Sequence, residues 1–205
     1  MKGRMNVMKR AMIGLLGIAL IASAASSQGI TSKGDEFLTA LSESNGSKAM
    51  RLVEESGFTV VNHRGDDGST ALHIVIRTRN SNWIGYLLSN GADKDAADKK
   101  GDTPLILAAR SGYGDGVARL LMSRAQVDKP NRLGETALIV AVQQRHAAIV
   151  STLLKLGANP DKRDHAAGFS ARDYANRDSR TKDMLKLIES VKSRVSEVGK
   201  PAPAR

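Results

Sequence analysis

The chain has 205 residues, enough for one domain or one short repeat array. It contains no cysteine, which excludes disulfide frameworks, thiolate zinc sites and cysteine nucleophiles. Hydrophobic residues make up 41% of the chain but aromatic residues only 3%, which favours small, closely packed helices over a large sandwich or barrel. The formal net charge is +10, and four of the basic residues lie in the first ten positions.

The N-terminus has the three parts of a secretory signal peptide. A basic segment precedes an apolar run over residues 11–22, and Ala22 and Ala24 then supply small residues at a cleavage site. The apolar run is shorter than the ~20 residues that a membrane-spanning helix needs. We therefore expect cleavage after Ala24, which would leave 27 basic and 21 acidic residues and a net charge of +6. Export of a chain without cysteine favours the bacterial periplasm, with secretion from the cell as an open alternative.

The next segment predicts a pair of helices that begins the folded part of the chain. Apolar residues recur at helical spacing over residues 35–41 and again over residues 48–53. The segment after them, 60–62, matches the residues that precede each later glycine-containing turn. We expect this pair to act as an N-terminal cap.

A 33-residue repeat occupies the middle of the chain. Gly68, Gly101 and Gly134 open segments that begin GSTALHIVIR, GDTPLILAAR and GETALIVAVQ. A leucine pair follows nineteen residues into each segment, and an aspartate recurs in phase at Asp95, Asp128 and Asp161. The period and the T-P-L-H-x-A pattern resemble the ankyrin repeat, over roughly residues 34 to 192. The resemblance implies an all-α ankyrin-repeat solenoid of helix-turn-helix repeats, with short β-turn fingers between them.

Each repeated position has a physical reason. Thr70, Thr103 and Thr136 suit helix N-caps, and Pro104 suits the first helical turn, where a missing N–H costs nothing. Glycines 91 and 157 fall where the second helix of a repeat should end with a positive φ. Arg124 occupies the equivalent place in the middle repeat and should be strained there.

The pattern weakens after the third full repeat, as a terminal cap should. It restarts one residue late at Gly168, with Arg172 in place of the buried leucine and Asp173 in place of histidine. A last helix through Met184 and Ile188 closes the stack. The predicted boundaries are 1–24 for the signal peptide, 25–33 for a linker, 34–67 for the N-terminal capping repeat, 68–100, 101–133 and 134–167 for three full repeats, 168–195 for the C-terminal capping repeat and 196–205 for a flexible tail.

We find no pattern that predicts catalysis, a metal or a cofactor. Among the four histidines, the ankyrin resemblance implies that His73 is structural and bridges to a neighbouring repeat. His63 and His165 belong to fingers three repeats apart, too far to share a metal. The glycine-rich run 112–116 lacks the lysine and preceding strand of a phosphate-binding loop. We expect a protein that is not an enzyme.

The resemblance implies a binding face made of the finger tips and the exposed side of each first helix. Leu133 and Phe169 are apolar residues in adjacent fingers with arginines nearby. Such a combination is typical of a protein-binding hot spot, unless both side chains fold back on their own repeats. The basic excess favours a partner protein with an acidic surface. The predicted partner-binding residues are Arg64, Asp66, Arg77, Lys99, Lys100, Arg110, Arg132, Leu133, Gln143, Arg163, His165 and Phe169.

Other roles stay open at this point. The segment from Asn176 onward carries eight basic and four acidic residues, so an envelope-associated structural factor that makes a weak membrane contact is one alternative. A secreted effector that binds a host protein is another. Export and the lack of aromatic residues in this segment disfavour nucleic acid. We expect a monomer.

Overall fold

The computed structural model describes residues 32–198, with side chains described to residue 190. The predicted signal peptide, residues 25–31 of the predicted linker and residues 199–205 of the predicted tail lie outside the described residues. Within that range the backbone forms ten α-helices and no strand. They are α1 Lys33–Ser42, α2 Gly46–Ser56, α3 Ala71–Arg77, α4 Ser81–Ser89, α5 Pro104–Arg110, α6 Gly114–Met122, α7 Ala137–Gln143, α8 Ala147–Lys155, α9 Ala171–Arg177 and α10 Lys182–Val198.

The helices form five consecutive pairs stacked in two layers. The odd-numbered helices form the inner layer, in which each packs against the next, from α1 to α9. Helices α4, α6, α8 and α10 pack in the same successive manner in the outer layer. Each pair therefore contacts mainly its neighbours, as expected of a solenoid. The predicted all-α solenoid is confirmed.

Threonines set where the inner helices begin. The hydroxyls of Thr103 and Thr136 accept the N–H groups of Ile106 and Ile139 at 3.2 and 3.3 Å. Pro104 is the first residue of α5, where its lack of an N–H is harmless. These caps satisfy backbone donors that the first helical turn would otherwise leave unpaired.

The core is built from aliphatic residues and alanine. Leu72, Leu105 and Leu138 of the inner helices are buried, and Ala108 and Ala141 are fully buried beside them. In the outer helices the first leucine of each pair is fully buried, as at Leu87, Leu120 and Leu153. Leu88 and Leu121, the second members of the first two pairs, are only partly buried. Small side chains let neighbouring inner helices approach closely, as the sequence predicted.

His73 joins two repeats through the core. The Thr70 N–H donates to His73 Nδ1 at 3.1 Å, so His73 Nε2 carries the proton that it donates to the Asp102 carbonyl at 3.0 Å. The imidazole is fully buried, and this burial lowers its pKa below the ordinary value. The structure thus shows the bridging role that the ankyrin resemblance implied for His73.

The in-phase polar residues form a ladder between repeats. Each side-chain oxygen accepts the backbone N–H of the residue 31 positions later. The bonds run to Asn62 from Asp93 (2.8 Å), to Asp95 from Gln126 (2.8 Å) and to Asp128 from Asn159 (3.0 Å). At Asp161 the donor is a side chain and not a backbone N–H: Arg172 Nε donates to the Asp161 carboxylate at 2.7 Å. Arg172 is thus one of the polar substitutions that close the array.

The first and the last inner helix each begin with a polar cap. Ser32 and Asp35 form a reciprocal capping box at α1, and Ser170 and Asp173 form another at α9. The last helix continues to Val198, so residues 196–198, which the sequence assigned to the tail, are helical. The sequence of α10 contains no glycine or proline, and the nearest residues of low helix propensity after it are Gly199 and Pro201. None of the described helices is long and apolar enough to cross a membrane.

Candidate functional site

A groove of about 610 Å³ lies between the inner helices and two of the loops that connect the repeats. We call the loops 64–69, 97–102, 130–135 and 163–169 fingers 1 to 4, and this space the finger groove. Its floor and walls are formed by Arg77, Asp98, Asp102, Leu107, Arg110, Asn131 and Glu135, and its rim by Lys100, Arg132 and Leu133.

A buried side-chain oxygen shapes each of fingers 2, 3 and 4. Asp98 Oδ1 accepts the N–H groups of Lys100 and Asp102 at 2.8 and 2.9 Å. Asn131 does the same for Leu133 and Glu135, and Asp164 for Ala167 and Gly168. Sequence reasoning missed these three residues, although they recur at intervals of 33 and a search for in-phase Asp or Asn would have found them.

The fingers are bonded to one another through the backbone. The bonds run from Lys99 N to Asp67 O (2.9 Å), from Arg132 N to Lys100 O (3.3 Å) and from His165 N to Leu133 O (2.8 Å). Because main-chain atoms make these bonds, the side chains at the tips are free to point outward. The rim residues of the groove are thus attached to a fixed frame.

Glycine is required where the fingers meet. Gly101 has φ +83°, and a Cβ there would lie 2.5 Å from the Arg132 backbone nitrogen. The same conflict arises at Gly68 and Gly134. Gly168 also has a positive φ, +69°, but a Cβ there would meet nothing within 4 Å, because no finger follows it among the described residues. The repeated glycines are therefore set by close contact as well as by backbone conformation.

The charges on the floor of the groove are compensated internally. Arg110 Nη2 contacts both carboxylate oxygens of Asp102, at 3.0 and 3.1 Å, and lies 3.8 Å from Glu135. Asn131 Nδ2 donates to Asp102 and to Glu135, at 2.9 Å each. This network fully compensates the charge of Arg110 and leaves the floor polar, with two carboxylates, Asp102 and Glu135, to one guanidinium.

Arg77 repeats the arrangement one repeat earlier. Its guanidinium donates to Ser69 Oγ at 2.9 Å and lies 3.4 Å from Asp67 and 3.8 Å from Asp98. Burial opposes ionisation of Asp67, but the bonds from Ser69 and the charge of Arg77 outweigh it and lower the pKa of Asp67. Both floor arginines thus serve mainly to hold the groove together.

The rim carries cations that the protein leaves unpaired. Lys100 and Arg132 of the rim and Lys99, next to Lys100 in the chain, are exposed, and their side chains form no hydrogen bond or ion pair with another described residue. Leu133, beside Arg132, is 55% exposed. The other large apolar residues with high exposure that the structure describes, such as Phe58, Met122 and Leu156, lie outside the groove. Leu133 is therefore the exposed apolar residue that the groove offers to a partner.

The structure divides the predicted partner-binding residues into two groups. It brings Arg77, Lys100, Arg110, Arg132 and Leu133 together in the finger groove, with Lys99 next to them. The remaining six do not line this groove. They are Arg64, bonded to the carbonyls of Gly68 and Ala97; Asp66, exposed; Gln143, beside Tyr174; Arg163, on Asp173; His165, over Gly134; and Phe169.

Phe169 does not form the exposed apolar pair with Leu133 that the sequence suggested. Its ring packs edge-on against Tyr174, with centroids 5.6 Å apart, and Arg177 lies over its face at 4.5 Å. The Tyr174 hydroxyl donates to Asp164 at 2.6 Å. Burial opposes ionisation of the Asp164 carboxyl, but the bond from Tyr174 and bonds from three backbone N–H groups outweigh it and lower the pKa of Asp164. Finger 4 is thus folded onto the C-terminal cap because polar and aromatic partners are available there.

The described residues contain no cluster of three or more His, Asp or Glu side chains that could hold a metal ion. His146 lies at the start of α8, where its ring packs on Gly112 and Nε2 is 3.3 Å from the Arg110 carbonyl. This geometry gives His146 a packing role between two repeats.

Comparison with known families agrees with the fold. A sequence model of ankyrin repeats, three copies long, matches residues 37–131 and 95–164, which together cover more than half of the chain. The protein belongs to the ankyrin-repeat family. Ankyrin repeats generally mediate protein–protein interaction and are typically not enzymes. A search of curated proteins finds no match to this sequence.

Proposed function

We propose that this protein is a non-enzymatic binding module that is exported to the periplasm and recognises an acidic partner protein through the finger groove. There it would stabilise, inhibit or connect that partner. The observation that carries the proposal is the contrast within the groove. The floor arginines are neutralised by neighbouring carboxylates, whereas Lys100 and Arg132 on the rim, with Lys99 next to them, are exposed and unpaired near the exposed Leu133. Unpaired cations next to an apolar anchor favour binding to a surface of opposite charge.

A capture experiment with a charge-matched control tests the proposal. The tagged protein, expressed from the full-length sequence, is incubated with extract of the native envelope fraction, and bound proteins are identified by mass spectrometry. The test variant is Lys99→Glu, Lys100→Glu and Arg132→Glu. The control carries the same charge change on exposed residues of the outer helices, Arg51→Glu, Lys155→Glu and Lys182→Glu.

We expect a protein that wild type and control capture and that the groove variant loses. Equal capture by all three proteins would refute the groove as the binding site, because the two variants differ only in where the charge is reversed. Circular dichroism of each variant confirms that the helices are intact before capture is compared.

The proposed location rests on the N-terminal sequence pattern and has its own test. Fractionation of expressing cells should place a shortened chain, beginning after Ala24, in the periplasm. A full-length chain in the cytoplasm would contradict export and leave the binding proposal unaffected.

A further inference from the structure

We infer that the finger groove takes an extended acidic segment of its partner, in which the acidic residues lie to one side of a single apolar residue. The inference rests on the proposed function and specifies the chemistry of the bound segment. It follows from three features of the groove: its size, the order of its side chains and the rigidity of its frame.

The size of the groove favours a chain segment over a broad folded surface. At about 610 Å³ it lies within the range of small-ligand pockets and holds only a few side chains. Both fingers that line it are bonded to each other and closed by Asp98 and Asn131. The groove is therefore small and its frame is fixed, and an extended segment fits such a space without rearrangement of the fingers.

The order of side chains along the array gives the segment a polarity. Lys99 and Lys100 lie on finger 2, and Arg132 meets Lys100 through the 3.3 Å backbone bond to finger 3. Leu133 comes next, and the half-buried Leu107 of α5 lines the same space. The three cations therefore lie on finger 2 and at its joint with finger 3, all on the finger 2 side of Leu133, which is itself bonded to finger 4.

Glu135 strengthens this polarity. Its carboxylate lines the groove on finger 3, and its side chain is 13% exposed. It would repel an acidic side chain placed beside Leu133, whereas Lys100 and Arg132 attract one placed toward finger 2. An acidic cluster should consequently lie on the finger 2 side of the apolar residue, and not on both sides.

Selection from random peptides tests the inference directly. Ten-residue peptides displayed on phage are selected on the protein expressed from the full-length sequence, and the consensus peptide is then synthesised with a fluorescent label for anisotropy titration. We expect enriched peptides with Asp or Glu clustered on one constant side of a Leu, Ile, Val, Met or Phe. Lys100→Glu with Arg132→Glu should weaken the labelled peptide by about tenfold or more, because like charges would then face each other. Leu133→Ala should weaken it by about fivefold.

Controls separate specific recognition from charge alone. Lys100→Arg should retain binding, and Arg51→Glu with Lys155→Glu should leave it unchanged. A labelled ten-residue oligothymidine is the polyanion control. If it binds as tightly as the peptide and is lost equally in the charge variant, the groove recognises negative charge in general and the inference is wrong.

Failure of this inference can be told apart from failure of the proposed function. Enriched peptides that are neutral or basic, or no enrichment at all, would overturn the acidic segment. If envelope capture then still depends on Lys99, Lys100 and Arg132, the groove binds a partner by its folded surface and the proposed function stands.

Discussion

The two long edges of the stack hold the repeats together by different means. On the finger edge, main-chain bonds link each finger to the next, and one buried Asp or Asn shapes each of fingers 2 to 4. On the opposite edge, where each inner helix turns into its outer helix, side chains make the joints. Arg79 Nη2 donates to the Ser111 carbonyl at 2.6 Å, and Arg145 pairs with Asp178 at 3.0 Å.

This difference determines which edge can evolve a binding surface. The turn edge uses its arginines for cohesion, so replacing them weakens the stack. On the finger edge, backbone bonds join all four fingers, so outward side chains that make no bond to a neighbouring finger can change without loss of the joint. Lys99, Lys100 and Arg132 therefore occupy positions where a side chain can be chosen for a partner.

The largest effect is expected from the core, which both edges share. Leu105→Ala removes a side chain of α5 that is 2% exposed, and should lower the free energy of unfolding by about 2–5 kcal/mol through lost burial and the cavity left behind. Urea unfolding followed by circular dichroism measures it. An unchanged free energy of unfolding would mean that contacts at the two edges, and not the core, hold the repeats together.

The backbone joint of the finger edge should respond strongly to a single added carbon. Gly101→Ala places a Cβ 2.5 Å from the Arg132 nitrogen at φ +83°, and we expect a loss of at least about 2 kcal/mol. Gly168→Ala is the matched control, because it has a similar φ but no neighbour within 4 Å, and it should cost about 1 kcal/mol. Equal losses in urea unfolding would show that close contact between fingers contributes nothing.

The finger edge was also the more predictable edge from sequence. Its glycines recur every 33 residues because each repeat must make the same backbone contact, and this regularity reveals the family, the helix starts and the position of the fingers. The joints of the turn edge differ from repeat to repeat. Arg79, Gly112 and Arg145 occupy equivalent places, so no periodic signal predicts that two of them bridge to a neighbour.

The position of the candidate site could be predicted from the sequence, but not which of its charged side chains are paired. Sequence phase placed Arg77, Arg110, Lys100 and Arg132 on one side of the array, and the structure brings them together in one groove. Composition could not tell which arginines are neutralised, because that depends on distances such as the 3.0 Å between Arg110 and Asp102. Nor could it show that Phe169 packs on Tyr174.

The ion pair of the turn edge should make stability depend on acid pH. Arg180 first, with Arg145, lowers the pKa of Asp178 to about 2. Because the folded pKa is below the unfolded value of about 3.9, the stabilisation is present above pH ~4 and is lost as pH falls toward 2. Asp178→Asn keeps an oxygen for the Arg180 N–H but removes the titration. Wild type should therefore be more stable than this variant at pH 7, and the difference should disappear near pH 2. A difference independent of pH would contradict the role of this charge at the turn edge.

The smallest effect is expected at two arginines whose backbone has a positive φ, of which one bonds to the next repeat and the other does not. Arg79 and Arg124 both have positive φ, +54° and +61°, but only Arg79 bridges to the next repeat; Arg124 is exposed, with no side-chain bond to another described residue. Arg124→Gly should therefore raise the free energy of unfolding by up to about 1 kcal/mol, since the left-handed conformation costs glycine little. Arg79→Gly relieves the same strain but loses the bond to Ser111 and the contact over the Tyr113 ring, so it should not gain stability and should lose some. Thermal unfolding of the two variants side by side decides the matter. A gain in both would show that the arginine joints of the turn edge add nothing beyond packing, and the contrast between the two edges would then rest on the finger backbone alone.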